Sequence, residues 1–580
     1  AMSPGKVCCL LLLTLGVLAV VISLVVILTQ PRCGPERYLH GAVAADTETC
    51  SAIGRDILKS GGTAVDSAIA ALICTSVMNP QSSGLGGGVI FTIYNASTGA
   101  VEVINARETA PRVSPRGLLS DCTAAAALHI GPRWIAVPGE LRGYEEAHRR
   151  HGHLPWRALF EPTIQLLSQP LVISPVMDKI IHHPMFSGPG KSLCPLICEG
   201  QRFLRRGETF RWPALQQTLR AVAENGAAAF YEGQIGKALV EDIRKAGSSI
   251  SLEDLQAYRA EVSTALNITL NNHTTIFSPG PPMGGAVLMF ILKVLEAYKL
   301  HEASLATPEE KVEAFHRIAE ALKFGNMLKS HMSDPAFSKA QVSVGTLLSD
   351  RVAELVRQRI DSRGDHPLRH YQLLDSIYNP GYSSRGTSHI SVLAADGSAV
   401  AATSTINYPF GSFVYSNQTG IILNNELADF CISNRSIQPD VQAVTSEQGP
   451  SVNCRLPSLG EKPPSAMVPS ILLSKTGDML VIGGAGGGWI ISATAMAIIN
   501  KLWFGYDLEH AIAAPIMHAE GDTVLFEEHF SEEVRSGLLR RGHKEKKPYL
   551  AMNVVQGISR EGRCISAYSD KRKLGKSAGY

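Results

Sequence analysis

Thr387 follows Gly386 in the run Gly386-Thr387-Ser388-His389-Ile390-Ser391-Val392, and a cut between the two would make it a nucleophile. A hydroxyl on the first residue of a new chain can use that chain's own α-amine as general base, so no histidine and no distant triad is needed. Uncut, the pair is an ordinary glycine turn before a strand threonine. Two further clusters carry chemistry. Asn424-Asn425-Glu426-Leu427-Ala428-Asp429 sets two carboxylates three residues apart, suited to gripping an ammonium group, though the same spacing also decorates surfaces. The run Gly483-Gly484-Ala485-Gly486-Gly487-Gly488 lets backbone N–H groups approach an anion or an oxyanion closely. A close-packed strand-to-helix turn explains those glycines equally well. The Gly-Lys-Ser/Thr ending of a nucleotide-binding loop is missing.

The elements that must position these residues are those of a mixed α/β chain. Val65 to Met78 reads as a buried helix, Gly88 to Tyr94 and Val101 to Asn105 as strands. Helical patterns cover Pro138 to Arg150, Trp212 to Asn225, Ile235 to Ala246 and Lys311 to Lys329. The glycine run follows a strand, Met479 to Ile482, and precedes a helical stretch, Ile490 to Leu502. After Gly386 the chain turns β-rich: His389 to Ala394 and Ala399 to Ile406 bracket Asp396-Gly397, a hairpin signal. A two-residue loop sets Thr387 opposite Ile406; a three-residue bulged loop sets it opposite Thr405. Either way Thr405 and Asn407 lie beside Thr387, because paired strands are only about 5 Å apart. Asn434 to Pro464, rich in Pro, Ser and Gly, reads as a long surface loop.

With 54 basic and 52 acidic residues, the charge balance offers nothing to nucleic acid. Val7 to Thr29 is a stretch of 23 residues without a charge, enough to span a bilayer. With no clear small-residue cleavage site after it, we expect an uncleaved signal anchor. Sequons at Asn95, Asn267, Asn272, Asn417 and Asn434 point to an extracytoplasmic location. The 11 cysteines fit an oxidising compartment. Cys50 and Cys74 flank one helical stretch, and Cys194 and Cys198 are close enough for a small loop. Zinc-type spacings do not occur, so no metal site and no cofactor is expected.

Taken together, Ser83-Gly84-Leu85-Gly86-Gly87-Gly88, Asn105-Ala106-Arg107-Glu108-Thr109-Ala110-Pro111, Pro138-Gly139-Glu140, Gly386-Thr387, Thr403-Ser404-Thr405-Ile406-Asn407, the Asn424 to Asp429 run and the late glycine loop resemble the γ-glutamyltransferase family, in order and over nearly the whole chain. Met467-Val468-Pro469-Ser470-Ile471 and Asn407-Tyr408-Pro409-Phe410-Gly411 look closest to its leukotrienase-type branch, type five. The resemblance implies an N-terminal-nucleophile hydrolase fold, a four-layer αββα sandwich, preceded by one transmembrane helix. It implies a cytosolic tail (1–6), an anchor (7–29), a large-subunit ectodomain (30–386) and a small catalytic subunit (387–580), made by autocleavage. The heterodimer would be a type II plasma-membrane glycoprotein with its catalytic domain outside. Its substrates would be glutathione and glutathione conjugates, with water, amino acids or dipeptides as acceptors. Thr387 is then the nucleophile and Thr405 its orienting partner. Arg107 and Ser465 would hold the substrate α-carboxylate, and Asn407, Glu426 and Asp429 its α-ammonium. Gly487 and Gly488 would form the oxyanion hole, each donor contributing roughly 3–4 kcal/mol. The cystines implied are Cys50–Cys74 and Cys194–Cys198.

Two positions depart from many relatives. Ala466 stands where they carry a second serine, a loss of about 1 kcal/mol, roughly fivefold in affinity. Pro409 replaces a tyrosine that helps cover the cleft, which would open the site to bulky conjugates. The rival expectation is an uncleaved, catalytically silent membrane glycoprotein that keeps the fold as an interaction surface.

Overall fold

The computed structural model describes the chain except residues 1–3, 30–32, 34–36, 116, 119–121, 123–128, 187, 338–341, 375–385, 432–456 and 548–552. The sequon at Asn434, and most of the loop expected from Asn434 to Pro464, lie outside the described residues. Two large sheets dominate. The first runs Ala578–Gly579, Ala42–Ala44, Ser388–Leu393, Ala399–Thr405, Gly88–Tyr94, Val101–Ala106, Glu261–Thr264 from edge to edge. The second runs Cys564–Ser569, Val554–Glu561, Met479–Ala485, Ser470–Ser474, Thr274–Ser278, Leu266–Thr269. They meet face to face through Ser388–Leu393 and Met479–Ala485. Helices Ala64–Met78 and Glu140–His151 pack on the first sheet, and Gly285–Glu296, Ile490–Leu502 and Leu508–Ala513 on the second. The layers are therefore α, β, β, α. Central strands covered on both faces carry no polar-out alternation, and every residue of Ser388–Leu393 and Ala399–Thr405 is buried.

Element ends follow local chemistry. Helix Ala64–Met78 starts where Thr63 and Asp66 close a capping box, worth about 1 kcal/mol. The helix expected from Lys311 begins earlier, at Pro308, because Thr307 and Glu310 cap it in the same way. The one expected from Pro138 begins at Glu140, since the N–H groups of Gly139 and Glu140 donate to Gly87 O at 2.9 and 3.0 Å.

The hairpin takes the bulged alternative. Leu393 pairs with Ala399 and Ser388 with Ser404, and Gly397, at φ 88°, donates to Ala394 O at 3.0 Å. A three-residue loop with its last residue left-handed is favoured because glycine adopts that conformation without penalty. Thr387 consequently stands opposite Thr405.

The uncharged N-terminal stretch forms helix Pro4–Thr29. Its described side chains, 12–24, are exposed and cover less length than a bilayer crossing needs. Among the described residues no helix is long and apolar enough to cross a membrane. Asn267, Asn272 and Asn417 are exposed and Asn95 is half-buried. Cys50–Cys74 and Cys194–Cys198 are disulfides. Two more, Cys33–Cys564 and Cys122–Cys431, were not expected from the sequence.

Candidate active site

One end of the first sheet gathers the residues that matter. Reading across the register, Ser388 pairs with Ser404, Ser404 with Val89 and Val89 with Ala106. The next residue on each strand brings Thr387, Thr405, Gly88 and Arg107 to the same edge. The Ser83 to Gly88 loop makes that possible by close backbone approach: a Cβ on Gly87 would lie 2.0 Å from Thr405 O. Gly86 and Gly88 are packing requirements of the same kind, since a Cβ on them would lie 2.1 Å from Ile422 O and 2.6 Å from Ala106 O.

Thr387 is buried. Its Oγ1 lies on the carbonyl oxygen of Gly386 and 3.1 Å from Thr405 Oγ1. Thr405 Oγ1 also donates to Gly386 O at 3.3 Å and accepts the Asn407 N–H at 2.9 Å. Gly386 N donates to Asn407 O at 2.9 Å. The Gly386–Thr387 peptide is thus bracketed by two hydroxyls and clamped by the Asn407 backbone, which itself sits at φ 76°, a left-handed conformation asparagine tolerates. Lys573 Nζ donates to Thr387 O at 2.5 Å and lies 3.4 Å from both Asp46 Oδ2 and Ser82 Oγ. His389, on the same strand, is not placed to act as base. Its two ring nitrogens are taken by Thr403 Oγ1 at 2.8 Å and Ser391 Oγ at 3.0 Å, and burial pushes its pKa down to about 3.

The charged residues assemble beside it. Arg107 Nη1 pairs with Glu426 and Nη2 with Asp429 at 2.8 Å. Its Nε and Nη2 also donate to the carbonyls of Pro463 and Pro464 at 3.2 and 2.7 Å. Glu108 approaches Nη1 at 3.6 Å. The carboxylate fork expected of Arg107 is therefore turned toward Glu426 and Asp429, because opposite charges buried together neutralise each other. Burial raises the carboxyls: Glu108 to about 7, Glu426 well above the ordinary range, Asp429 upward against the pull of Arg107. Asn407 Nδ2 donates to Asp429 Oδ1 at 3.1 Å. Its Oδ1 accepts no hydrogen bond among the described residues.

The turn Glu426–Cys431 is held by Asn424, whose Nδ2 donates to Gly86 O and Ala136 O and whose Oδ1 accepts from Glu426 N at 2.9 Å. Ser465 is half-buried, and its Oγ accepts from Met467 N at 3.1 Å; no hydrogen bond joins it to Arg107 among the described residues. In the late glycine loop Gly486 and Gly487 have φ 118° and 60°, turning the chain from Met479–Ala485 into the first turn that leads to helix Ile490–Leu502. First-turn N–H groups have no carbonyl within the helix to bond, which suits Gly487 and Gly488 to an anion. Lys329 Nζ donates to Gly488 O at 2.8 Å.

Sequence reasoning missed four side chains here. Lys573 and Lys329 reach the site from segments far away in the chain. Glu108 sits inside a recognisable motif but only contact with Arg107 marks it. Glu140, buried, accepts from Tyr144 Oη at 2.5 Å and Ser404 Oγ at 2.8 Å, and burial lifts its pKa to about 8.

The family profile described as gamma-glutamyltranspeptidase matches residues 50–580. The chain is 50% identical to "Glutathione hydrolase 5 proenzyme" of Homo sapiens, covering 99% of each. It is 48% identical to the Mus musculus protein of the same name, over 99% of this chain and 98% of that one. Among solved structures, a cephalosporin acylase from Bacillus halodurans superposes with a TM-score of 0.79 at 23% identity, over 95% of this chain and 99% of that one; at that identity the likeness concerns the fold. With a profile match over residues 50–580 and relatives about half identical over nearly its whole length, the chain belongs to the γ-glutamyltranspeptidase family of enzymes.

Proposed function

We propose that this chain cuts itself between Gly386 and Thr387 and then cleaves γ-glutamyl amides, with glutathione and glutathione conjugates such as leukotriene C as donors. The observation that carries the reading is the pair of hydroxyls, Thr387 Oγ1 and Thr405 Oγ1, on the Gly386 carbonyl. In the cut, Thr387 Oγ1 attacks that carbonyl carbon while Thr405 hydrogen-bonds its oxygen. The Gly386–Thr387 C–N bond breaks, the Thr387 nitrogen takes the proton, and water hydrolyses the resulting ester. This leaves a carboxylate on Gly386 and a free amine on Thr387.

The freed amine is then the general base for the same hydroxyl. Thr387 Oγ1 attacks the γ-carbonyl carbon of the donor, the N–H groups of Gly487 and Gly488 stabilise the oxyanion, and the leaving amine departs with a proton. The γ-glutamyl-threonine ester passes to water, releasing glutamate, or to an amino acid or dipeptide. Substrate recognition follows from the charge cluster. The donor's α-carboxylate replaces Glu426 and Asp429 on Arg107, helped by Ser465. Its α-ammonium takes over the freed Glu426 and Asp429 carboxylates and the open Oδ1 of Asn407. The names of the full-length relatives, "Glutathione hydrolase 5 proenzyme", support both the substrate class and a precursor that is processed into a large and a small subunit.

We place the protein at the plasma membrane as a type II glycoprotein, anchored by the 7–29 segment. The exposed leucines and valines of that helix, Leu12, Leu15 and Val20 among them at 58–66% exposure, are side chains a bilayer would cover. The exposed asparagines of three sequons support an outside catalytic domain.

A denaturing gel with N-terminal sequencing tests the cut. A small fragment starting at Thr387, missing in Thr387→Ala, is the expected result; a single intact band would favour the silent glycoprotein. Turnover of leukotriene C, glutathione and a γ-glutamyl anilide tests the donor class. A preference for the anilide at least equal to that for the conjugate would refute the leukotrienase-type reading of Pro409.

A further inference from the structure

Two of the four disulfides among the described residues join residues on opposite sides of the Gly386–Thr387 bond. Cys33–Cys564 spans 531 residues and Cys122–Cys431 spans 309, whereas Cys50–Cys74 and Cys194–Cys198 both lie on the N-terminal side. We propose that the two chains made by the cut stay covalently joined through these two cystines, and that Cys122–Cys431 is a positioning element for the turn carrying Glu426 and Asp429. The inference rests on the cut proposed above.

The covalent half follows from connectivity. Cys33 and Cys122 precede the cut, and Cys431 and Cys564 follow it, so either cystine alone keeps the chains together. Under native conditions they would hold together anyway, since strands from before and after the cut pair in the first sheet: Ala42–Ala44 lies between Ala578–Gly579 and Ser388–Leu393, and Ala399–Thr405 pairs with Gly88–Tyr94. The cystines therefore matter where sheet pairing does not reach.

Such a place is the turn Glu426–Cys431. At its start Asn424 ties it to Gly86 and Ala136. At its end is Cys431, packed with Phe430, Ala428, Leu427 and Trp134 in a small apolar cluster against Cys122. The sulfur link closes the end nearest Asp429, two residues away, which pairs with Arg107. Opening it leaves the apolar cluster as the anchor at that end, with no covalent tie. The damage should fall on binding of the α-ammonium, not on chemistry at Thr387, which is held by other elements.

The test uses the full-length protein with a C-terminal epitope tag and free thiols blocked by N-ethylmaleimide before denaturation. With dithiothreitol, we expect a tagged fragment beginning at Thr387. Without it, we expect one species of intact size. The double variant Cys431→Ser/Cys564→Ser releases the fragment without reductant, and neither single variant does. A wild-type fragment free without reductant overturns the inference while leaving the cut intact; an uncut chain in both lanes defeats the cut itself. For positioning, Cys431→Ser should raise KM for a γ-glutamyl anilide about tenfold, the scale of one weakened charge-assisted hydrogen bond, with kcat within about twofold. Cys564→Ser should leave both unchanged. If Cys431→Ser does not fold, the same rise in KM is expected when folded wild-type protein is treated with dithiothreitol. Loss of kcat at constant KM, or no change at all, refutes the positioning role.

Discussion

Binding of a γ-glutamyl donor should expel a proton, and the structure sets the size of the effect. Arg107 faces three buried carboxyls, Glu108, Glu426 and Asp429, so full ionisation would leave one positive charge against three negative ones away from water. Burial, the largest influence on all three, raises their pKa values, Glu108 to about 7. Glu140, itself raised by burial to about 8, adds negative charge nearby only when ionised, and Tyr258, whose hydroxyl donates to Arg107 O at 2.7 Å, stays neutral. The empty cluster therefore keeps a proton near neutrality, and an arriving ammonium must displace it. With one proton to displace, each pH unit below the raised pKa costs about 1.4 kcal/mol, or tenfold in affinity. Inhibition by glutamate should weaken up to about tenfold from pH 7 to pH 6 and level off well above pH 7. Calorimetric titration in phosphate and in Tris, whose ionisation enthalpies differ, should show close to one proton released per glutamate bound. Glu426→Gln should bind more weakly and flatten the pH dependence. A pH-independent inhibition constant together with zero proton release would refute the reasoning, whereas no glutamate binding at all would instead refute the site.

The two lysines and the buried glutamate give further expectations. Lys573→Met removes the donor on Thr387 O, and we expect slower cutting and a kcat reduced by about one to two orders of magnitude, measured by the rate of fragment appearance and by anilide turnover. Lys329→Met frees the Gly488 carbonyl; kcat should fall while KM holds, with Lys329→Arg recovering part of the loss. Glu140→Gln should be mild, under about 1 kcal/mol in thermal unfolding, because a carboxyl with a pKa of about 8 is mostly neutral at pH 7 and the amide oxygen can still accept from Tyr144 and Ser404. Glu140→Ala leaves both hydroxyls without that acceptor and should cost about 1–3 kcal/mol.

The legible part of the site was the part with local signatures. Asp396-Gly397 announced the hairpin, and the hairpin brought Thr405 and Asn407 to Thr387, although choosing between the two registers took the Gly397 conformation. The late glycine run before a helical stretch was readable because strand, turn and helix are consecutive. Arg107, Glu426 and Asp429 are expected from the sequence to bind substrate, yet their mutual pairing is not, since Arg107 and Glu426 lie 319 residues apart and nothing in either segment states what faces it.

By itself the sequence determined which groups could do the chemistry: a threonine behind a glycine, two carboxylates on one turn, glycines before a helix, an uncharged stretch ahead of the rest. These depend on neighbours along the chain, where covalent geometry and periodicity set positions. Only the tertiary structure decided what each group meets: Lys573 on the Thr387 carbonyl, Lys329 on Gly488, Glu140 on Ser404, and cystines that cross the Gly386–Thr387 bond. Those contacts arise from packing two sheets face to face, which brings distant segments within hydrogen-bond reach without marking either of them in the local sequence.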